Sequence, residues 1–153
     1  MKRIEVKLSL EVVAPLLDVI KNVAGGLSAN LAAPLAMRDL DAEFKDTWTA
    51  ELQAAQTADV QVLLALFDGD FFSEGVIGLD EANAEPVVRA CAAIRLRLRA
   101  DYLKTFGDET LETSDVNITQ LEEPVRKAFM CYLFLATLQE LIIQHLDSSI
   151  IES

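Results

Sequence analysis

Two cysteines and one histidine are the side chains in this sequence best suited to nucleophilic, redox or metal chemistry. Arg95 stands one helical turn beyond Cys91, and a neighbouring guanidinium favours the thiolate over the thiol. If the segments carrying Cys91 and Cys131 pack together, the two form a possible redox pair, provided their Cα atoms come within about 7 Å. The favoured reading is plainer. Cys91 falls on an apolar helical seam and Cys131 in the most apolar stretch of the chain, where a free cysteine behaves as a small core hydrophobe. His145 stands near the end of the last helix, where an imidazolium complements the helix carbonyls. Three Cys and His residues cannot fill a structural zinc site of four such ligands. The E-x-x-H spacing of di-iron bundles is absent, because Ile142 stands three residues before His145. No G-x-S-x-G elbow, H-E-x-x-H pair or glycine-rich phosphate loop occurs. The expectation is a non-enzymatic protein with no cofactor, no metal and no catalytic residue.

Charge narrows the partners. The chain carries 25 acidic and 13 basic residues, a net charge of −12, which repels phosphate backbones and anionic lipid. Residues 46–88 hold Asp46, Glu51, Asp59, Asp68, Asp70, Glu74, Asp80, Glu81 and Glu85 with no Lys or Arg. The next stretch reverses the sign, with Arg89, Arg95, Arg97, Arg99 and Lys104 opposed only by Asp101. On a helical wheel these cations do not form one phosphate-tracking stripe: Arg95 and Arg99 flank one side of the apolar seam, whereas Arg89, Arg97 and Lys104 lie toward the opposite face. Nucleic acid is therefore disfavoured and no membrane role is expected. The favoured role for these cations is pairing with flanking acids while their stems cover apolar surface. The partner expected is another protein or a second copy of the chain, with Phe71, Phe72, Arg97 and Lys104 as possible contact residues. Phe71-Phe72 qualifies because it sits in a glycine-flanked, acidic, irregular segment where an aromatic can act as an anchor, although burial of at least one ring is favoured.

The elements that carry these residues follow from periodicity. Ile4, Val6, Leu8 and Leu10 alternate with polar residues, which predicts a short strand over 2–8. Ser9 caps a helix in which Leu10, Val13, Leu17 and Ile20 recur at three- and four-residue steps until Gly25-Gly26 stops it, with Pro15 kinking its early turns. Leu27 to Pro34 reads as loop. Leu40, Phe44, Trp48 and Leu52 share one helical stripe, predicted to face inward. Thr57 is a cap for a further short helix with Val60, Leu63, Leu64 and Phe67, ended by Asp68-Gly69-Asp70. Val76 to Leu79 is a candidate second strand. Asp80 and Asn83 compete to cap the next helix, which runs to Lys104 with Val87, Cys91, Ile94, Leu98 and Tyr102 along its seam. Pro86 favours the Asn83 start. Gly107 to Asn117 is an acidic loop. Thr119 and Glu122 form a capping box for a last helix ending near Asp147, with Arg126, Thr137, Glu140 and Gln144 on its polar stripe.

At 153 residues and 52% hydrophobic content the chain suits one domain, and its composition fits neither disorder nor a repetitive fibre. Ala128 to Leu138, the longest apolar run, is short of the roughly 20 residues a bilayer requires. No signal peptide or lipidation motif is visible, which gives the cytoplasm as the expected compartment, with both thiols reduced. The fold class expected is mainly α: a single domain over 1–153, about five helices around a buried C-terminal helix, with at most a small two-stranded sheet.

The run from Glu123 to Glu140, above all Tyr132 to Glu140 with its Leu-Gln-Glu ending, resembles the closing helix of the bacterial domain-of-unknown-function family DUF2017. Leu79-Asp80-Glu81-Ala82 leading into Ile94 to Leu98 is similar to that family's preceding helix, and Leu10 to Ile20 matches more loosely. These are helix-packing patterns, so the resemblance carries no catalytic residue with it. It implies a regulatory role, since the family is best known from actinobacteria beside the ClpS proteolytic adaptor and is linked to stress responses. Members of that family are richer in Lys and Arg where this chain, over Phe44 to Val62, has only Lys45, and a DNA-contacting role is not carried over. The functional expectation is a cytoplasmic regulatory or adaptor-like protein. The alternative is a thiol-responsive transcription regulator using Cys91 and Cys131.

Overall fold

Polar and apolar residues alternate through Arg3–Lys7, and that segment forms strand β1, with Ile4 and Val6 half-buried between exposed neighbours. The computed structural model describes residues 3–27, 42–104, 106–107, 110 and 120–146, without the side chains of 42–46. β1 pairs antiparallel with β2, Val76–Asp80, in the register Arg3 to Asp80 and Lys7 to Val76. This two-stranded sheet is joined by a helical body made of α1, Leu10–Leu27, α2, Ala42–Ala65, α3, Gly69–Glu74, α4, Ala84–Asp101, and α5, Glu123–His145. The fold is mainly α with a small antiparallel sheet, as the periodicities indicate.

Several boundaries differ from the sequence reading, each for a physical reason. Gly25-Gly26 does not stop α1, which continues to Leu27; that side chain is fully buried, and Gln56 Nε2 donates a hydrogen bond to its carbonyl at 3.0 Å. Burial and a captured terminal carbonyl outweigh the poor helix propensity of glycine. Pro15 lies inside α1. α2 is one continuous helix, not two, because nothing between Ala42 and Ala65 breaks it and Thr57 lies in its interior, not at a cap. α2 ends at Ala65, just ahead of the Asp68-Gly69-Asp70 turn, and Asp68 opens α3, its Oδ1 accepting from Asp70 N at 3.0 Å and Phe71 N at 3.4 Å. α3 closes at Gly75, whose φ of 73° is left-handed and whose position leaves no room for a Cβ against Leu8 O.

Asp80 and Asn83 share the entry to α4. Asp80 Oδ1 accepts from Ala82 N and Asn83 N, while Asn83 Oδ1 accepts from Asp80 N and its Nδ2 donates to Gly78 O. The helix starts after Asn83, with Pro86 in its first turn, and ends at Asp101, three residues before Lys104. Val87, Cys91, Ile94 and Leu98 are buried along the seam as the spacing requires. Tyr102 is not: past the helix end it turns out to 36% exposure, and Leu103 takes the core position. The Thr119 half of the capping box lies outside the described residues; Glu122 is at the N-cap position of α5 without a side-chain bond, and Pro124 follows in the first turn.

α4 packs against α2 on one side and α5 on the other, and α1 touches all three. α5 supplies Ala128, Phe129, Cys131, Tyr132, Leu135, Leu138 and Ile142 to one core cluster drawn from every helix and from β2. By length and composition α5 is also apolar enough to cross a membrane, a property it shares with the core helices of other folds. Here its buried stripe packs against α4 and α1. Each large apolar side chain so buried is worth about 2 kcal/mol.

α2 and α4 run antiparallel. Asp59 pairs with Arg89 at 2.9 Å, while farther along α2 Val62, Ala65 and Leu66 share a cleft with Asn83 and Asp80, earlier than Arg89 in the chain. The end of α2 therefore lies at the start of α4. The outer half of α2 departs from expectation: Trp48 and Leu52 are 42% and 39% exposed and do not face inward, while Leu40 and the Phe44 side chain lie outside the described residues. Burial on this helix begins farther along, at Val60 and Leu63.

Candidate functional site

Cys91 and Cys131 sit on α4 and α5, helices that pack together, and both are fully buried free thiols. Burial pushes each thiol up to about 12. Arg95 does pull Cys91 the other way, toward the thiolate, and is overcome by desolvation. A reactive thiol needs the opposite balance, an exposed sulfur in a positive field. His145 is the exposed last residue of α5, clear of both cysteines' burial layer.

Arg95 has a defined structural role. Its Nη1 donates to Gln139 Oε1 at 2.6 Å, Gln139 Nε2 donates to Val88 O at 3.0 Å, and its guanidinium lies 4.4 Å from the Tyr132 ring centre. This bracket ties α4 to α5, and Arg95 Nε is left buried without a hydrogen-bond partner. Arg89 pairs with Asp59 and with Glu85, whose hydrogen bonds and charges raise its pKa, Asp59 contributing most. Arg97 pairs with Asp101 at 3.1 Å and keeps a third of its side chain exposed, and Lys104 is exposed just past the helix. Of the five cations in this stretch, Arg89 and Arg97 are thus tied to acids, as the favoured reading has it, while Arg95 is held by Gln139 and Tyr132 instead.

The Phe71-Phe72 pair divides. Phe71, a sequence candidate for partner contact, is completely buried, edge-on to Phe67 with ring centres 5.1 Å apart, because the Asp68 cap turns α3 onto the core. Phe72 is 55% exposed and leans edge-on against Phe71. One ring anchors the short helix and the other is offered to solvent.

Beside that helix opens a cleft of about 500 Å³. The end of α2 supplies Val62, Ala65 and Leu66, the turn and α3 supply Asp68, Asp70 and Glu74, and the sheet supplies Arg3, Glu5, Val76, Gly78 and Asp80. Five carboxylates thus surround one guanidinium. Asp68 and Asp80 are held by backbone N–H groups, but among the described residues no side-chain partner engages Glu5, Asp70 or Glu74. The Arg3 guanidinium lies over Gly78, the one place in β2 where no side chain intervenes. The sequence analysis registered this segment's acidity but not the cleft, since its walls come from residues as distant as Arg3 and Asn83. Among the described residues no group of three or more His, Cys, Asp or Glu is placed to hold a metal ion. A concave, electronegative surface with apolar patches is suited to a cationic guest.

Comparison with known proteins finds no match among curated proteins and none among solved structures. A family model described as a domain of unknown function, DUF2017, matches residues 30–146, well over half of the chain, and the protein belongs to that family.

Proposed function

We propose that this chain is a non-enzymatic, cytoplasmic regulatory or adaptor-like protein that acts by protein–protein interaction, and that the α2–α3–sheet cleft receives a basic segment of its partner. The observation that carries this reading is a cleft in which Glu5, Asp70 and Glu74 have no side-chain partner among the described residues and stand around the apolar Val62, Ala65, Leu66 and Val76. Carboxylates left in water cost nothing to keep and gain when a cation arrives, while Val62, Ala65, Leu66 and Val76 in the same cleft add apolar contact. The same field disfavours nucleic acid and anionic lipid. Chemistry by the strongest nucleophiles is not supported either, because the fold holds both cysteines as buried neutral thiols away from the cleft lining.

Fluorescence anisotropy with labelled peptides tests the reading. A Lys/Arg-rich peptide containing one large apolar residue binds, and its affinity falls as salt rises. Asp70→Asn with Glu74→Gln weakens it by at least about tenfold, or 1.4 kcal/mol. Equal binding by an acidic peptide of the same length, or indifference to the two neutralisations, removes the cleft from the account.

A further inference from the structure

The two-stranded sheet has two outer edges, and among the described residues only one of them is closed. Leu8 N donates to Gly75 O, and Leu8 opposes Gly75 when the register that sets Lys7 on Val76 is carried one residue further. Opposed residues of an antiparallel pair alternate between bonded and non-bonded. Ile4, Val6 and Leu8 therefore turn their backbone N–H and C=O groups to β2, while Arg3, Glu5 and Lys7 turn theirs away from it. On β2 the same alternation points Val76, Gly78 and Asp80 outward. There Asn83 closes the edge much as a strand does, its Oδ1 accepting from Asp80 N at 2.9 Å and its Nδ2 donating to Gly78 O at 3.1 Å. Nothing comparable covers β1. Among the described residues no hydrogen bond outside the ladder engages the backbone of Arg3, Glu5 or Lys7, and β2 is the main neighbour of the strand. The side chains of Glu5 and Lys7 are exposed, and among the described residues neither has an ion pair.

We propose that this open edge receives β1 of a second copy of the chain, antiparallel, about a two-fold axis that passes perpendicular to the sheet beside Val6. Charge on an edge strand usually discourages pairing. Here the sign alternates along the edge, from Arg3 through Glu5 to Lys7, and an alternating strand complements itself once it is offset. Only registers that oppose outward-pointing residues can form the ladder. Centred on Glu5, such a pairing sets Glu5 on Glu5 and Arg3 on Lys7, like charge on like. Centred on Val6, it sets Glu5 opposite Lys7 of the second copy and Lys7 opposite Glu5 of the second copy. On the other face Val6 meets Val6 of the second copy and Ile4 meets Leu8 of the second copy, which covers side chains that are only partly buried within one chain. Centring on Ile4 instead requires Arg3, whose guanidinium lies over Gly78 on β2, to swing to the free edge. The Val6 register leaves Arg3 where it is. It joins two marginal two-stranded sheets into one of four strands. The edge is short, about 17 Å, so the dimer is weak and forms as concentration rises. Glu5 then answers to Lys7 of the second copy, and Asp70 and Glu74 are left to the cleft.

Sedimentation of the full chain over a wide concentration range gives a monomer–dimer equilibrium. Lys7→Glu and Glu5→Lys each raise the dissociation constant at least about tenfold, and an equimolar mixture of the two variants restores association, because each residue then faces the opposite sign. The backbone is tested by Lys7→Pro, which removes an N–H that points away from β2 and so closes the edge while sparing the sheet: the dimer is lost with circular dichroism unchanged. Val6→Cys reads the register, since at the axis it opposes itself in a non-bonded pair with Cα atoms about 4.5 Å apart and cross-links to itself under mild oxidant. A chain that is monomeric at every concentration, a dimer that survives Lys7→Pro, a mixture that associates no better than its components, or a Val6→Cys chain that does not cross-link overturns the proposal. Should Lys7→Pro disturb the fold, the mixing experiment and the cross-link still decide it.

Discussion

Gly75 and the two cysteines show how little of a residue's role is visible in its own identity. Gly75 joins α3 to β2 in a left-handed turn, with Leu8 N donating to its carbonyl and Leu8 O where a Cβ would sit. Gly75→Ala is expected to cost about 2 kcal/mol by urea denaturation, from both the positive φ and the displaced Leu8 carbonyl. At Gly78 the obstruction is only the tip of the flexible Arg3 side chain, and Gly78→Ala is expected to cost less than about 1 kcal/mol. The cysteines give a pH signature. Folding raises each thiol from 9.0 to about 12, so between those values the unfolded chain loses protons that the folded chain keeps. Stability contributed by the protonated thiols is complete below pH 9 and is lost as pH rises toward 12, by up to about 3 kcal/mol per pH unit for the pair. Denaturation midpoints across the alkaline range, compared with the Cys91→Ala, Cys131→Ala double variant, isolate that slope. At neutral pH a thiol reagent is expected to modify both only as fast as the chain opens. Burial of both sulfurs was legible from the seam spacing; the victory of desolvation over Arg95 was not, because it depends on how completely α4 and α5 exclude water.

At the level of elements, patterning with period two or three and a half located both strands and most helix faces, since burial on one side is what imposes those periods. Punctuation was less reliable. Gly25-Gly26 and Thr57 look like helix boundaries in the sequence, yet α1 and α2 run through them, because tertiary burial of Leu27, Val60 and Leu63 outweighs local preferences of about 1 kcal/mol. Ala58→Pro separates the two readings of α2. A helix starting after a Thr57 cap tolerates proline at its first position, whereas a continuous helix loses about 3 kcal/mol, and that loss is the expected denaturation result. The Phe71-Phe72 pair yields a second contrast. Phe71→Ala is expected to cost about 4 kcal/mol as a core truncation, while Phe72→Ala should stay within about 0.5 kcal/mol in denaturation.

For the molecule as a whole, the charge imbalance sets what it can meet. Acid outnumbers base by 12, so the sign of the field that any partner meets is legible in the sequence. It did not make the cleft legible, because Glu5, Asp70 and Glu74 come to one cleft only through the long-range antiparallel pairing of β1 with β2 beside the end of α2. The partial exposure of Trp48 and Leu52 was hidden for a related reason: an apolar stripe on a wheel does not say how far a neighbour covers it. The cleft therefore follows from tertiary arrangement, which gathers acids that are distant in the chain. The central claim, that the cleft between α2, α3 and the sheet holds a basic segment of another protein, is tested most directly by placing a photo-cross-linking amino acid at position 65, an exposed residue of the cleft wall, and sequencing what it captures in the native cell. The account expects Lys/Arg-rich segments, lost when Asp70→Asn and Glu74→Gln are added. Capture of acidic or uncharged segments, or of the same segments despite those two changes, would contradict it.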